Sequence, residues 1–134
     1  MTPALNNELE TATRLAEQAG EMIRAELKRP GGPRGHGETA VLDGEIEAFL
    51  RTALLEAFPR SGFQAEERPD LNRAPLDDAS GLWLVDPHDG TSAFLSGQRG
   101  ASISIALLRH NRPVLGIIYA YAYPNAPGDL ITWA

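Results

Sequence analysis

The chain has 134 residues, 43% hydrophobic and 22% charged, enough for one domain that buries its own core without a metal or disulfide to staple it. Its net charge of −6 argues against a nucleic-acid polymer or an anionic membrane as partner, and a negatively charged substrate would need bound cations. There is no cysteine, no apolar stretch of membrane-spanning length and no basic-then-apolar leader, so thiol chemistry is excluded and the chain reads as soluble and cytoplasmic.

From Leu5 to Leu27 apolar residues recur at steps of three and four, through Leu9, Ala12, Ala16, Ala19 and Ile23, which predicts an amphipathic helix. The stretch KRPGGPRGHGE stops it: Pro30 and Pro33 cannot continue a helix, and the glycines around them permit almost any backbone angle, so a mobile loop is expected. Asp43 is placed to cap a second helix, whose apolar face is Ile46, Phe49, Leu50, Ala53, Leu54 and Ala57 and which Pro59 closes.

After Pro59 the periodicity turns from helical to alternating. Beyond GFQAEE come a polar, proline-bearing surface loop up to Gly81 and three β-type runs, GLWLVD, ASISIALL and PVLGIIYAYAY. In ASISIALL, Ile103, Ile105 and Leu107 share one face while Ser102, Ser104 and Ala106 share the other, so the small face must meet something closely. RHNRP supplies a turn into an antiparallel neighbour. The fold class is therefore α+β: two N-terminal helices packed on a mostly antiparallel β-sheet, in one domain over 1–134. The final DLITWA is an apolar run with no turn or polar tail after it, as expected of a chain cut inside a larger fold.

The stretch WLVDPHDGTSAF carries the chemistry. Asp86 follows an apolar run, so its carboxylate is expected at the mouth of a buried layer, with Pro87 fixing a turn there. Asp89, followed by Gly90, Thr91 and Ser92, reads as the start of a short helix whose unpaired N–H groups form an anion site. Carboxylates beside an anion site make electrostatic sense only with cations between them, and hard oxygen ligands suit Mg²⁺ bridged to a phosphate. Glu66 and Glu67 form a further acidic pair. The plainer alternative for each acidic residue is a solvated loop charge or a helix cap.

The ordered set of Glu-Glu in QAEERP, then WLVDPHDGTSAFLSG, the ASISIALL strand and PVLGIIYAYAYP resembles the N-terminal half of the inositol monophosphatase family of magnesium-dependent, lithium-sensitive phosphatases. DPHDGT fits that family's Asp-Pro-x-Asp-Gly-Thr/Ser signature, and the likeness extends over roughly residues 5–134. The resemblance implies that Glu66 ligates metal and orients the attacking water, that Asp86 bridges two ions, that the His88 backbone carbonyl completes one of them and that Asp89 binds the second. It also implies that the N–H groups of Gly90 and Thr91 hold substrate phosphate beside Asp89, with the Thr91 hydroxyl helping Glu66 position the water. Asp43 and Glu47 resemble acidic positions at the start of the family's second helix; Asp43 lies near a third metal position or is simply a cap. Glu67 reads as a supporting or solvated charge, and Tyr119, Tyr121 and Tyr123 as packing.

Two departures stand out. The family's lysine and Val-Thr-x-x-Asp approach to the second helix is replaced by GPRGHGETAVLD, and the family's C-terminal half, with its remaining metal-binding aspartate, has no counterpart in this sequence. The expectation is a magnesium-dependent hydrolase of a small phosphate monoester: an inositol phosphate, a sugar bisphosphate or a nucleoside bisphosphate. The alternative is an inactive, shortened relative that binds metal and phosphate or serves as an interaction module. An exposed apolar face and the family's habit of dimerising lead us to expect a homo-oligomer.

Overall fold

The structure, a computed structural model, describes residues 3–36, 39–65, 67–89, 102–120 and 128–134, with the backbone alone at 3, 4, 36, 39, 40, 88 and 89. The first helix, α1 (Pro3–Leu27), follows the expected periodicity and buries Ala12, Ala16, Ala19 and Ile23 completely. The glycine-rich stretch after it is less irregular than its composition suggests. It contains a two-residue antiparallel ladder between β1 (Gly35–His36) and β2 (Thr39–Ala40), which delivers the chain directly into α2 (Val41–Ala57). Asp43 therefore lies within the first turn of α2 instead of capping it, because the ladder and a hydrogen bond from the Val41 amide to the Arg34 carbonyl (3.2 Å) start the helix at Val41, three residues before the start that a cap at Asp43 would give.

Five strands follow in one sheet, ordered β3 (Gly62–Ala65), β4 (Leu82–Asp89), β5 (Ser102–Arg109), β6 (Arg112–Ala120) and β7 (Asp129–Trp133). Only β3 and β4 run parallel; the remaining neighbours are antiparallel. A parallel pair needs a long crossover, and the polar segment after β3 supplies it, with a short 3₁₀ turn at Pro69–Leu71. Between β5 and β6, His110 and Asn111 both take positive φ (50° and 61°), the backbone of a two-residue hairpin whose twist matches that of the strands.

Both helices pack on one face of the sheet, and the alternation of the strands decides which side chains meet them. Ile103, Ile105 and Leu107 of β5, Leu115 and Ile117 of β6, and Trp83 of β4 are buried against Ile23 of α1 and Ile46, Leu50 and Leu54 of α2. Each such side chain contributes about 1.5–3 kcal/mol of hydrophobic burial. Helix α1 approaches β6 so closely at Gly20 that a Cβ there would lie 2.7 Å from the ring of Tyr119. The Tyr119 hydroxyl accepts a hydrogen bond from Arg24 (2.7 Å), so Tyr119 is a packing residue as expected; Tyr121 and Tyr123 lie outside the described residues.

The opposite face carries no helix among the described residues. Leu84, Asp86, Ser104, Ala106, Gly116 and Ile118 alternate with the buried set, and together with Gln64, Ile131 and Trp133 they line a groove of about 490 Å³. On the neighbouring strand β6, the Trp133 indole covers Gly116. Ile118, Leu130, Ile131 and Trp133 remain exposed. No helix of the described residues is long and apolar enough to cross a membrane.

Candidate active site

The aspartates of the DPHD segment are organised by an irregularity in β4. The strand was expected to end at Asp86; it continues to Asp89. Asp86 pairs with Ser104 and Asp89 with Ser102, so three steps along β4 match two along β5. This is a β-bulge. Pro87, which lacks a ladder donor, is tolerated there, and that is why the strand outlasts it. In a regular strand, positions three apart fall on opposite faces. The bulge removes that mismatch, so positions 86 and 89 both stand opposite residues of the small-residue face of β5. Asp86 itself is half-buried and lines the outer groove beside Gln64, Leu84 and Ser104, with Pro87 turned to the core.

A second set of carboxylates approaches from α2. Asp43 and Glu47 lie one turn apart and are both buried, at 1% and 0% exposure. Glu47 is committed to the backbone of the turn after β3: its Oε2 accepts from the Glu67 amide (2.5 Å) and its Oε1 from the Arg68 amide (2.9 Å). Burial pushes the Glu47 carboxyl up from the usual range, the two amide hydrogen bonds pull it partly back, and the negative charges of Glu67 and Asp43 add to the rise. The Glu67 residue is exposed, as expected of a supporting charge. Sequence reasoning took Asp43 as a cap or a neighbour of a third metal position and Glu47 only as an acidic position resembling the family's second helix, and it missed the role of Glu47 as a loop clamp. The available signal was their register: 43, 46, 47, 50 and 54 form one stripe, so two acidic residues share the core-facing stripe of α2.

The turn that Glu47 holds is anchored from other directions as well. The Ala65 amide donates to Asn72 Oδ1 (3.1 Å), Ala65 pairs with Val85 of β4, and Arg51 Nε donates to the Leu71 carbonyl (2.7 Å). Arg68 is ion-paired with Asp70 at 2.8 Å.

Of the expected site residues, Asp86 is described in full; His88 and Asp89 are described in the backbone of β4; Glu66, Gly90 and Thr91 lie outside the described residues, as does the expected helix start at Gly90 to Ser92. Among the described residues no three His, Asp or Glu side chains are gathered as a metal cluster. The donor chemistry nonetheless fits a divalent hard cation: a half-buried Asp86 carboxylate at the rim of the groove, and backbone carbonyls of a bulged strand whose ladder is interrupted.

Comparison with known proteins places this architecture. The family model described as the inositol monophosphatase family matches residues 5–130. Inositol monophosphatase 1 of Bos taurus is 29% identical over 116 residues, which cover 84% of this chain and 42% of that protein. The 3'(2'),5'-bisphosphate nucleotidase CysQ of Aggregatibacter actinomycetemcomitans is 29% identical over 115 residues, covering 84% and 43%. The solved inositol monophosphatase from Anabaena (Nostoc) sp. PCC 7120 superposes with a TM-score of 0.72 at 27% identity, over 87% of this chain and 41% of that one. The chain thus spans about two fifths of the length of the relatives it matches.

Proposed function

The chain belongs to the inositol monophosphatase family, and from that premise we propose that it is built as a magnesium-dependent phosphomonoester hydrolase, in one domain over 1–134. The observation that carries this reading is the bulged register of β4, which brings positions 86 and 89 opposite the same face of β5 within the family's signature segment. Asp86, Asp89, Glu66 and the His88 carbonyl would hold Mg²⁺. When bound, the ion lowers the pKa of a coordinated water and neutralises phosphate charge. Glu66 and the Thr91 hydroxyl orient the water, and the Gly90 and Thr91 amides, next to Asp89, hold the phosphate of a small monoester. The inositol monophosphatase and bisphosphate nucleotidase names of the relatives support inositol phosphates and nucleoside bisphosphates as the substrates to try first. We place the protein in the cytoplasm, and its exposed outer face supports association into a homo-oligomer.

The experiment is phosphate release from these monoesters with and without Mg²⁺, comparing the unsubstituted chain with Asp86→Asn. Magnesium-dependent turnover that the variant lacks supports the hydrolase. A second reading is a metal- and phosphate-binding module without turnover; Mg²⁺ binding with no hydrolysis would select it.

A further inference from the structure

We propose that Glu47 is a positioning residue for Glu66, because its two carboxylate oxygens hold the amides of Glu67 and Arg68 and so tie the peptide that leaves residue 66 to helix α2. The proposal rests on the reading of Glu66 as a metal ligand. The peptide chain entering that residue is already fixed, since Ala65 is paired with Val85 in the sheet and its amide donates to Asn72. Strand β3 ends at Ala65, and the first two amides after residue 66 both end on one buried side chain.

A carboxylate is the side chain this task needs. Two N–H donors converge on it, and an ionised carboxyl offers an acceptor oxygen to each. Its carboxamide isostere offers one acceptor and turns an NH₂ group toward the other amide, donor against donor. Helix α2 also makes the anchor stiff, because Glu47 sits mid-helix between the fully buried Ile46 and Leu50. An isolated buried carboxylate would be a liability in a core. Here both oxygens are spent on one turn, which fixes the position of that turn against α2.

The test compares the unsubstituted chain with Glu47→Gln by titration calorimetry with Mg²⁺ alone and by amide hydrogen exchange. The proposal expects exchange at residues 67 and 68 to accelerate in the variant while α1 and β5 stay protected, and Mg²⁺ affinity to fall about 10–100-fold, the range seen when outer-shell partners of a metal ligand are removed. Accelerated exchange with Mg²⁺ affinity unchanged would overturn it and leave Glu47 a structural clamp only. If the unsubstituted chain binds no Mg²⁺, the hydrolase reading fails and takes this inference with it, an outcome distinct from the previous one. Should Glu47→Gln not fold, the unsubstituted chain decides alone. Coupling is reciprocal, so Mg²⁺ must raise protection of the Glu67 and Arg68 amides if their order favours Mg²⁺ binding; unchanged protection would overturn the proposal.

Discussion

Glu26 accepts three hydrogen bonds from Arg34 alone, from its backbone amide at 2.7 Å, from Nε at 3.0 Å and from Nη2 at 2.8 Å. The glutamate is the last acidic residue of α1 and only 4% exposed, whereas Arg34 opens the β1–β2 segment and also reaches Glu45 of α2 at 2.9 Å. Arg34 thus ties the glycine-rich stretch to both helices. The Arg34 guanidinium holds the Glu26 carboxyl below its ordinary value, against the opposing effect of burial. Because the folded pKa is depressed, the stabilisation is complete above the unfolded value near 4.5 and is lost as pH falls through the folded one. Glu26→Gln is expected to cost about 1–3 kcal/mol at neutral pH, tempered by the solvent open to Arg34, and the cost should shrink in acid. Urea unfolding of both proteins across that range checks it; a penalty independent of pH would show that the charge is not what matters.

Glu47 has the opposite sign. Burial raises its carboxyl, so it favours the folded state most when protonated, and that contribution is lost as pH rises from the unfolded value near 4.5 through the raised folded one. In the absence of Mg²⁺ the unsubstituted chain should therefore lose stability relative to Glu47→Gln as pH rises, the reverse of the Glu26 pair. Parallel pH series of chemical unfolding on the two variants would separate the two glutamates by slope alone.

At the start of β3, Gly62 has no room for a side chain. A Cβ there would lie 2.5 Å from the Arg73 carbonyl oxygen and 2.6 Å from the Pro75 nitrogen, both backbone atoms of the returning crossover. The Gly62 amide meanwhile donates to the Gly81 carbonyl at 2.9 Å. Gly62→Ala should therefore destabilise the chain by about 2–3 kcal/mol through displaced backbone. The midpoint of urea unfolding is expected to drop with little change in the m-value. An unshifted midpoint would mean that the crossover moves aside freely.

What could be read from residue order and what could not divide along physical lines. The helices and the β5 alternation depend on periods within one segment, and Ile23, Leu50 and Ile105 lie where those periods put them. The family signature was legible for the same reason. The bulge at Pro87 was not, because it is a mismatch between two strands and exists only once β4 and β5 are paired. Proline was read as the end of a strand when it marks a site where the ladder can spare a donor. The Glu26–Arg34 clamp was likewise hidden, since glycine and proline report what a loop permits and not which side chains restrain it. The parallel pairing of β3 with β4 was latent in the length of the segment between them, but strand direction leaves no mark in a short apolar run.

The outer face of the sheet gives the remaining expectation. Strand β7 is an edge strand whose five residues are all exposed, and Ile131, at 57% exposure, stands with Trp133 at the lip of the groove over β5 and β6. An edge with apolar side chains and free backbone groups invites pairing with another chain, and a single lysine on such a strand opposes it by requiring a charge to be desolvated. Ile131→Lys removes little packing, so its effect on the monomer's own stability should stay within about 0.5 kcal/mol. Sedimentation velocity over a dilution series should show the unsubstituted chain associating as concentration rises and the variant shifted toward monomer. If both sediment as the same species at every concentration, the association does not run through β7; if the unsubstituted chain is monomeric throughout, homo-oligomerisation itself is removed from the proposed function.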